Sequence, residues 1–133
     1  MDKQLYLNAL NHAVRERGYG DYYAAKCVRY ATRLLDNNLP VIFDTKHLSL
    51  LIGIATFDMT KMMFFEEGFY STVKIPKKSG GVRELDIPCS ELKHIQRWIL
   101  NNILYNIKIS DRAIGFCCQK SILDNAKCHL NQY

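Results

Sequence analysis

Lys77, Lys78 and Arg83 bracket the tripeptide Ser79-Gly80-Gly81, and three cations around a glycine-rich turn make a grip for phosphate. Arginine can hold two phosphate oxygens at once, whereas lysine supplies a compact positive charge. A nucleoside triphosphate and a nucleic-acid backbone both fit that chemistry. Val73 and Ile75 before the turn, and Leu85 and Ile87 after it, are all odd-numbered. Strand side chains alternate with period two, so pairing Val73 with Ile87 and Ile75 with Leu85 gathers the apolar groups on one face. That register predicts Lys77 directly opposite Arg83, with Ser79, Gly80 and Gly81 as a three-residue loop. Like charges so placed repel by up to about 1 kcal/mol, and a bound anion relieves the repulsion. The alternative is a plain solvated tip whose basic residues discourage edge-to-edge pairing.

The elements around this hairpin are mostly helical. Tyr6, Leu10, Ala13 and Val14 recur at helical spacing from Asp2 to about Arg17, and Gly18-Tyr19-Gly20 interrupts them. Asp21 is a good N-cap for a second helix striped by Ala24, Val28, Ala31 and Leu35, which Asp36-Asn37-Asn38 ends. Residues 39–43 read as extended. Thr45 is placed to cap a short helix carrying Leu48, Leu51 and Ile52, with Gly53 closing it, and a further short helix is predicted over about 57–65. The period then changes to alternation over 70–77 and 82–88. Ser90 is the predicted N-cap of a helix reaching about Tyr105, striped by Leu92, Ile95, Ile99 and Ile103, and Ser121 that of a last helix with Ile122, Ala126 and Leu130.

With 133 residues the chain is about one domain long. Eighteen lysines and arginines against 13 acidic residues give a net charge of +5, which suits a polyanionic partner without demanding one. No segment approaches the roughly 18 consecutive apolar residues of a membrane span, and the N-terminus has no signal or lipidation pattern, so no membrane partner and a cytoplasmic location are expected. Cys27, Cys89, Cys117, Cys118 and Cys128 contain no C-x-x-C pair. Neither a disulfide framework nor a metal site is indicated.

The stretch from Phe69 through Lys74-Ile75-Pro76-Lys77-Lys78-Ser79-Gly80-Gly81-Val82-Arg83-Glu84-Leu85, with Pro88 and Leu92-Lys93-His94-Ile95-Gln96-Arg97-Trp98-Ile99-Leu100, closely resembles the fingers motif of retron and related bacterial reverse transcriptases. Ala113-Ile114-Gly115-Phe116, then Lys120-Ser121-Ile122, Asn125-Ala126 and His129, resembles that family's next block. The two blocks cover about residues 69–130. Cys117-Cys118-Gln119 departs from the usual pattern, and His129 suits a packed or capping role better than a metal ligand.

The resemblance implies a fingers hairpin closing over the incoming nucleotide, with Lys77 and Arg83 as triphosphate contacts. Lys74, Lys78, Lys93, Gln96, Arg97, Lys120 and Ser121 become possible template or nucleic-acid contacts. For Ser121 a simple capping role competes with a phosphate contact at a helix N-terminus. The implied fold is α+β, mostly helical with a basic β-hairpin, as a partial fingers subdomain of a right-hand polymerase. A helical region over 1–68 precedes a fingers segment over 69–133, with a hairpin at about 70–88 and helices at about 90–105 and 121–131.

Family members copy an RNA template into DNA, and many serve in antiviral defence against phage. The implied partners are an RNA template with a DNA primer or an RNA–DNA hybrid, and a deoxynucleoside triphosphate. Polymerases of this kind hold two magnesium ions on palm aspartates, and no two aspartates are adjacent in this sequence. The palm is expected to be absent, leaving no catalytic or metal residues and no cofactor in this chain. Magnesium would then come with a palm-bearing chain. A truncated polypeptide, an interrupted gene and a split polymerase all fit, and a stand-alone nucleic-acid-binding module or a gene remnant is the alternative function.

Overall fold

The computed structural model describes residues 2–65, 68–110, 113, 121–128 and 130. Four helices, α1 (Lys3–Glu16), α2 (Asp21–Asp36), α3 (Thr45–Ile52) and α4 (Thr56–Phe64), precede strands β1 (Tyr70–Pro76) and β2 (Val82–Pro88). Helix α5 (Ser90–Asn102), one 3-10 turn (Leu104–Asn106) and α6 (Ile122–Cys128) follow. The described chain is mostly helical with a two-stranded antiparallel sheet, in line with the α+β expectation.

Helices α1 and α2 pair antiparallel. Asp2 caps α1 through hydrogen bonds from the Gln4 and Leu5 backbone N–H groups. Gly18 (φ 82°) and Asn38 (φ 55°) terminate the two helices in left-handed backbone. After α2 the Asn38 N–H bonds the Leu35 carbonyl at 3.1 Å and the Leu39 N–H bonds Leu34 at 2.9 Å, the Schellman pattern that satisfies the last carbonyls. Ion pairs Lys3–Asp36 and Arg15–Asp21 brace opposite ends of the helix pair. Both are exposed, so each contributes at most about 1 kcal/mol. Burial does more: Leu7, Ala31 and Val41 form a core cluster, flanked by Tyr6, Leu10, Val28 and Leu34. Residues 39–43 belong to neither helix nor strand, and the Tyr30 hydroxyl donates to the Ile42 carbonyl at 2.7 Å.

A second cluster of Ile52, Met59 and Ile95, with Trp98 and Ile99 against it, joins α3, α4 and α5. It links residues on both sides of position 68. Ser49 is buried and shares a 2.8 Å hydrogen bond with Thr56, tying α3 to the first turn of α4.

Three predicted caps move by one residue. Gly20, not Asp21, is the N-cap of α2; Asp21 lies in the first turn, where the helix dipole and Arg15 at 3.1 Å favour a carboxylate. Asp44, not Thr45, caps α3 by accepting from the His47 N–H at 2.7 Å. Cys89 occupies the N-cap of α5, with non-helical backbone and no side-chain cap bond, and Ser90 is the first helical residue, its hydroxyl donating to the Glu91 carboxylate at 2.7 Å. Helix α5 also stops at Asn102, short of Tyr105. Asn102 and Asn106 donate their side-chain amides to the carbonyls four residues earlier, and such local bonds favour turns over continued helix.

Ala31 has no exposed surface, so the α1–α2 contact tolerates no larger side chain. Ala31→Leu is expected to destabilise the fold by about 1–3 kcal/mol, measured as a lowered urea midpoint with an unchanged slope.

Candidate nucleic-acid interface

The hairpin is built by local alternation and by the backbone freedom of two glycines. Gly80 (φ 87°) and Gly81 (φ 82°) both occupy the left-handed region, which costs an L-residue about 1–2 kcal/mol. The Gly80 N–H donates to the Lys77 carbonyl at 3.1 Å, and the Lys77 N–H donates to the Gly81 carbonyl at 3.0 Å. Lys77 therefore pairs with Gly81, and the three-residue loop is Lys78, Ser79 and Gly80. This corrects the predicted loop by one residue.

The register shifts with it. Val73 pairs with Leu85, Ile75 with Arg83 and Ser71 with Ile87, two residues from the predicted pairing. A shift of two preserves side-chain parity. Val73, Ile75, Leu85 and Ile87 still share one face, and alternation carries Lys77 and Arg83 onto it. The two cations are diagonal neighbours, about 7–8 Å apart at the backbone, rather than directly opposed. Among the described residues no carboxylate forms an ion pair with Lys77, Lys78 or Arg83.

The other face is self-compensated. Thr72 donates to Asp86 at 2.7 Å, and the Lys74 ammonium lies 3.2 Å from the Glu84 carboxylate. Lys74 thus belongs to the face away from Lys77 and Arg83, with its charge balanced across the ladder.

Helix α5 stands at the base of the hairpin. The Cys89 N–H donates to the Phe69 carbonyl at 2.7 Å, and the Gln96 amide reaches the Tyr70 hydroxyl at 3.3 Å. Lys93 and Arg97, one helical turn apart, are exposed beside Gln96. At about 3.3 Å per residue, seven-residue strands hold tip and base roughly 20 Å apart. The structure therefore sets the cations in two groups, at the tip and along α5. Ser121 both donates its hydroxyl to Asp124 at 2.7 Å and receives the Asp124 N–H at 3.3 Å, a reciprocal cap in which a carboxylate already occupies the helix start. Lys120, Cys117-Cys118-Gln119 and His129 lie outside the described residues.

The acidic groups of the hairpin leave no open carboxylate pair: Glu84 is held by Lys74 and Asp86 by Thr72. No group of three or more His, Cys, Asp or Glu side chains suited to a metal ion occurs among the described residues. No described helix is long and apolar enough to cross a membrane.

No family model matches the chain. It is similar to the retron Mx162 reverse transcriptase of Myxococcus xanthus, 31% identical over 97 residues that make up 70% of this chain and 20% of that protein. It is 32% identical to the retron Ec86 reverse transcriptase of Escherichia coli over 100 residues, 74% of this chain and 31% of that protein. With the retron Ec83 reverse transcriptase of Escherichia coli it shares 40% identity over 60 residues, 45% of this chain and 19% of that protein. These matches mark a reverse-transcriptase-related region. The chain is similar to part of each of these retron reverse transcriptases and spans less than a third of the length of each of these three relatives.

The start of α5, where the hairpin joins it, carries a pH-sensitive group. The Ser90 hydroxyl foremost, then the backbone N–H of Glu91 and the Cys89 side chain, hold the Glu91 carboxyl below its ordinary value. A depressed carboxyl contributes stability that is complete above its unfolded-state value and is lost as pH falls through the folded one. Glu91→Gln is expected to flatten the acid limb of the stability curve while leaving neutral-pH binding unchanged, as read by thermal unfolding across pH.

Proposed function

We propose that this chain supplies the fingers portion of a retron-type reverse transcriptase and positions substrates for RNA-templated DNA synthesis. Lys77 and Arg83 grip the triphosphate of the incoming deoxynucleotide, and Lys78 adds charge at the same tip. Lys93, Gln96 and Arg97 contact the template backbone, with Lys120 and Ser121 as further contacts; Lys74 is the weakest contributor because Glu84 neutralises it. One observation carries this proposal: Lys77 and Arg83 share a face of a glycine-closed tip with no carboxylate paired to either among the described residues. Charge-assisted bonds to phosphate are the strong ones, and diagonal cations span adjacent phosphate groups without direct repulsion.

The relatives are retron reverse transcriptases, and the polymerase activity as a whole is proposed for an assembly that includes palm carboxylates. Magnesium held there would activate the primer hydroxyl and stabilise the leaving oxygens. The fingers residues bind and orient. The RNA template, the primer or hybrid and a palm-bearing polypeptide are the proposed partners, and a cytoplasmic role in defence against phage is the proposed setting.

Titration of the chain with a fluorescent deoxynucleoside triphosphate tests the grip. Lys77→Ala with Arg83→Ala is expected to weaken binding about tenfold or more, whereas Lys74→Ala changes it less than about twofold. Lys93→Ala with Arg97→Ala should lower the salt slope for RNA binding by about one unit per lost phosphate contact. Equal effects of the Lys74 and Lys77/Arg83 variants reject the facial assignment. Template-dependent incorporation by this chain alone with magnesium rejects the division between fingers and palm.

A further inference from the structure

Away from the hairpin, the N-terminal helices enclose a cleft of about 520 Å³ that the fingers assignment does not use. It lies where α1, the α1–α2 turn, α2 and the start of α3 meet, and its lining includes Arg17, Tyr19, Tyr23, Phe43, Lys46 and His47. The aromatic groups form two stacks. The Tyr19 and Tyr23 rings lie 4.8 Å apart with planes 29° from parallel, and the Phe43 and His47 rings lie 5.9 Å apart at 11°. Large aromatic groups usually gain by burial, yet Tyr19 is 53%, Tyr23 49% and Phe43 43% exposed.

The cleft carries two cations, Arg17 and Lys46, against one lining carboxylate, Asp44. Arg17 and Lys46 form no ion pair among the described residues, and Asp44 turns its carboxylate to the His47 backbone N–H at 2.7 Å. Flat apolar surfaces beside free cations match a nucleotide in both of its parts. Bases stack on aromatic rings, phosphates meet the cations, and every base has a face to offer. The cleft volume falls within the roughly 300–1,000 Å³ range of small-molecule sites, so it suits one splayed nucleotide. A duplex keeps its bases stacked on each other and presents no such face.

We propose that this cleft binds an unpaired nucleotide of a single-stranded nucleic acid, its base stacked on the Tyr19–Tyr23 or Phe43–His47 pair and its phosphates on Arg17 and Lys46. The site shares no residue with the hairpin. It gives the chain a second hold on nucleic acid that depends on strandedness.

Fluorescence anisotropy of the full chain with a labelled single-stranded RNA, and with a blunt duplex of the same sequence, tests this. Tighter binding of the single strand is expected. Tyr19→Leu with Tyr23→Leu lowers single-strand affinity about tenfold, leaves duplex affinity within about twofold, and Tyr19→Phe retains it. Lys46→Gln, at an exposed position, lowers the single-strand salt slope by about one unit, and carries the test if the tyrosine pair proves necessary for folding. Lys77→Ala with Arg83→Ala leaves the single-strand preference intact, which separates this site from the triphosphate grip. Equal loss for both substrates in the Tyr19/Tyr23 variant, an unchanged salt slope in Lys46→Gln, or displacement of the strand by equimolar adenosine monophosphate overturns the proposal.

Discussion

The left-handed backbone at Gly80 and Gly81 governs the geometry of the candidate site, because loop closure fixes register and register fixes which side chains share a face. With Lys77 bonded to Gly81, the ladder beyond them has one pairing. The apolar residues then gather on one face together with the tip cations, and Thr72–Asp86 and Lys74–Glu84 form the complementary polar face. A Cβ at either glycine would meet no neighbouring atom. Their requirement is conformational, set by φ alone.

Parity survived in the sequence analysis where exact pairing did not, for a physical reason. Alternation of Val73, Ile75, Leu85 and Ile87 fixes faces modulo two, and any register displaced by two satisfies it equally. The choice between registers lies with the loop, where Ser79-Gly80-Gly81 and Lys78-Ser79-Gly80 are both three residues long. Caps behaved similarly. Apolar spacing located α2, α3 and α5, but adjacent polar residues such as Asp44 and Thr45 compete for one N–H, and only the final geometry chooses. Leu7, the buried member of α1, sits beside the stripe of Tyr6 and Leu10 because the position of α2 decides which flank is covered. The aromatic cleft left no local trace, since its residues are spread from position 17 to 47 and meet only when α1, α2 and α3 pack.

The described interior is thin. Among the described residues two separate clusters each contain three buried apolar residues, and large side chains such as Phe57 (77%) and Phe64 (73%) are exposed on α4. Extended apolar surface of this kind marks contact sites or association. The curated relatives are several times longer than the matched region. The α1–α2 pair and the α3–α4–α5 cluster supply the rigidity on which both nucleic-acid contacts are proposed to act.

The hairpin is anchored at its base by the Cys89–Phe69 bond and by Gln96 on Tyr70, while both of its faces remain largely solvent-exposed along the strands. Such a ribbon has the geometry of a cantilever, fixed at one end. A small rotation at the root, on the order of ten degrees, sweeps a tip roughly 20 Å away through several ångströms. A hinge at the root would leave every ladder hydrogen bond intact, so where the basic tip sits depends on the contacts with α5 as much as on the strands themselves.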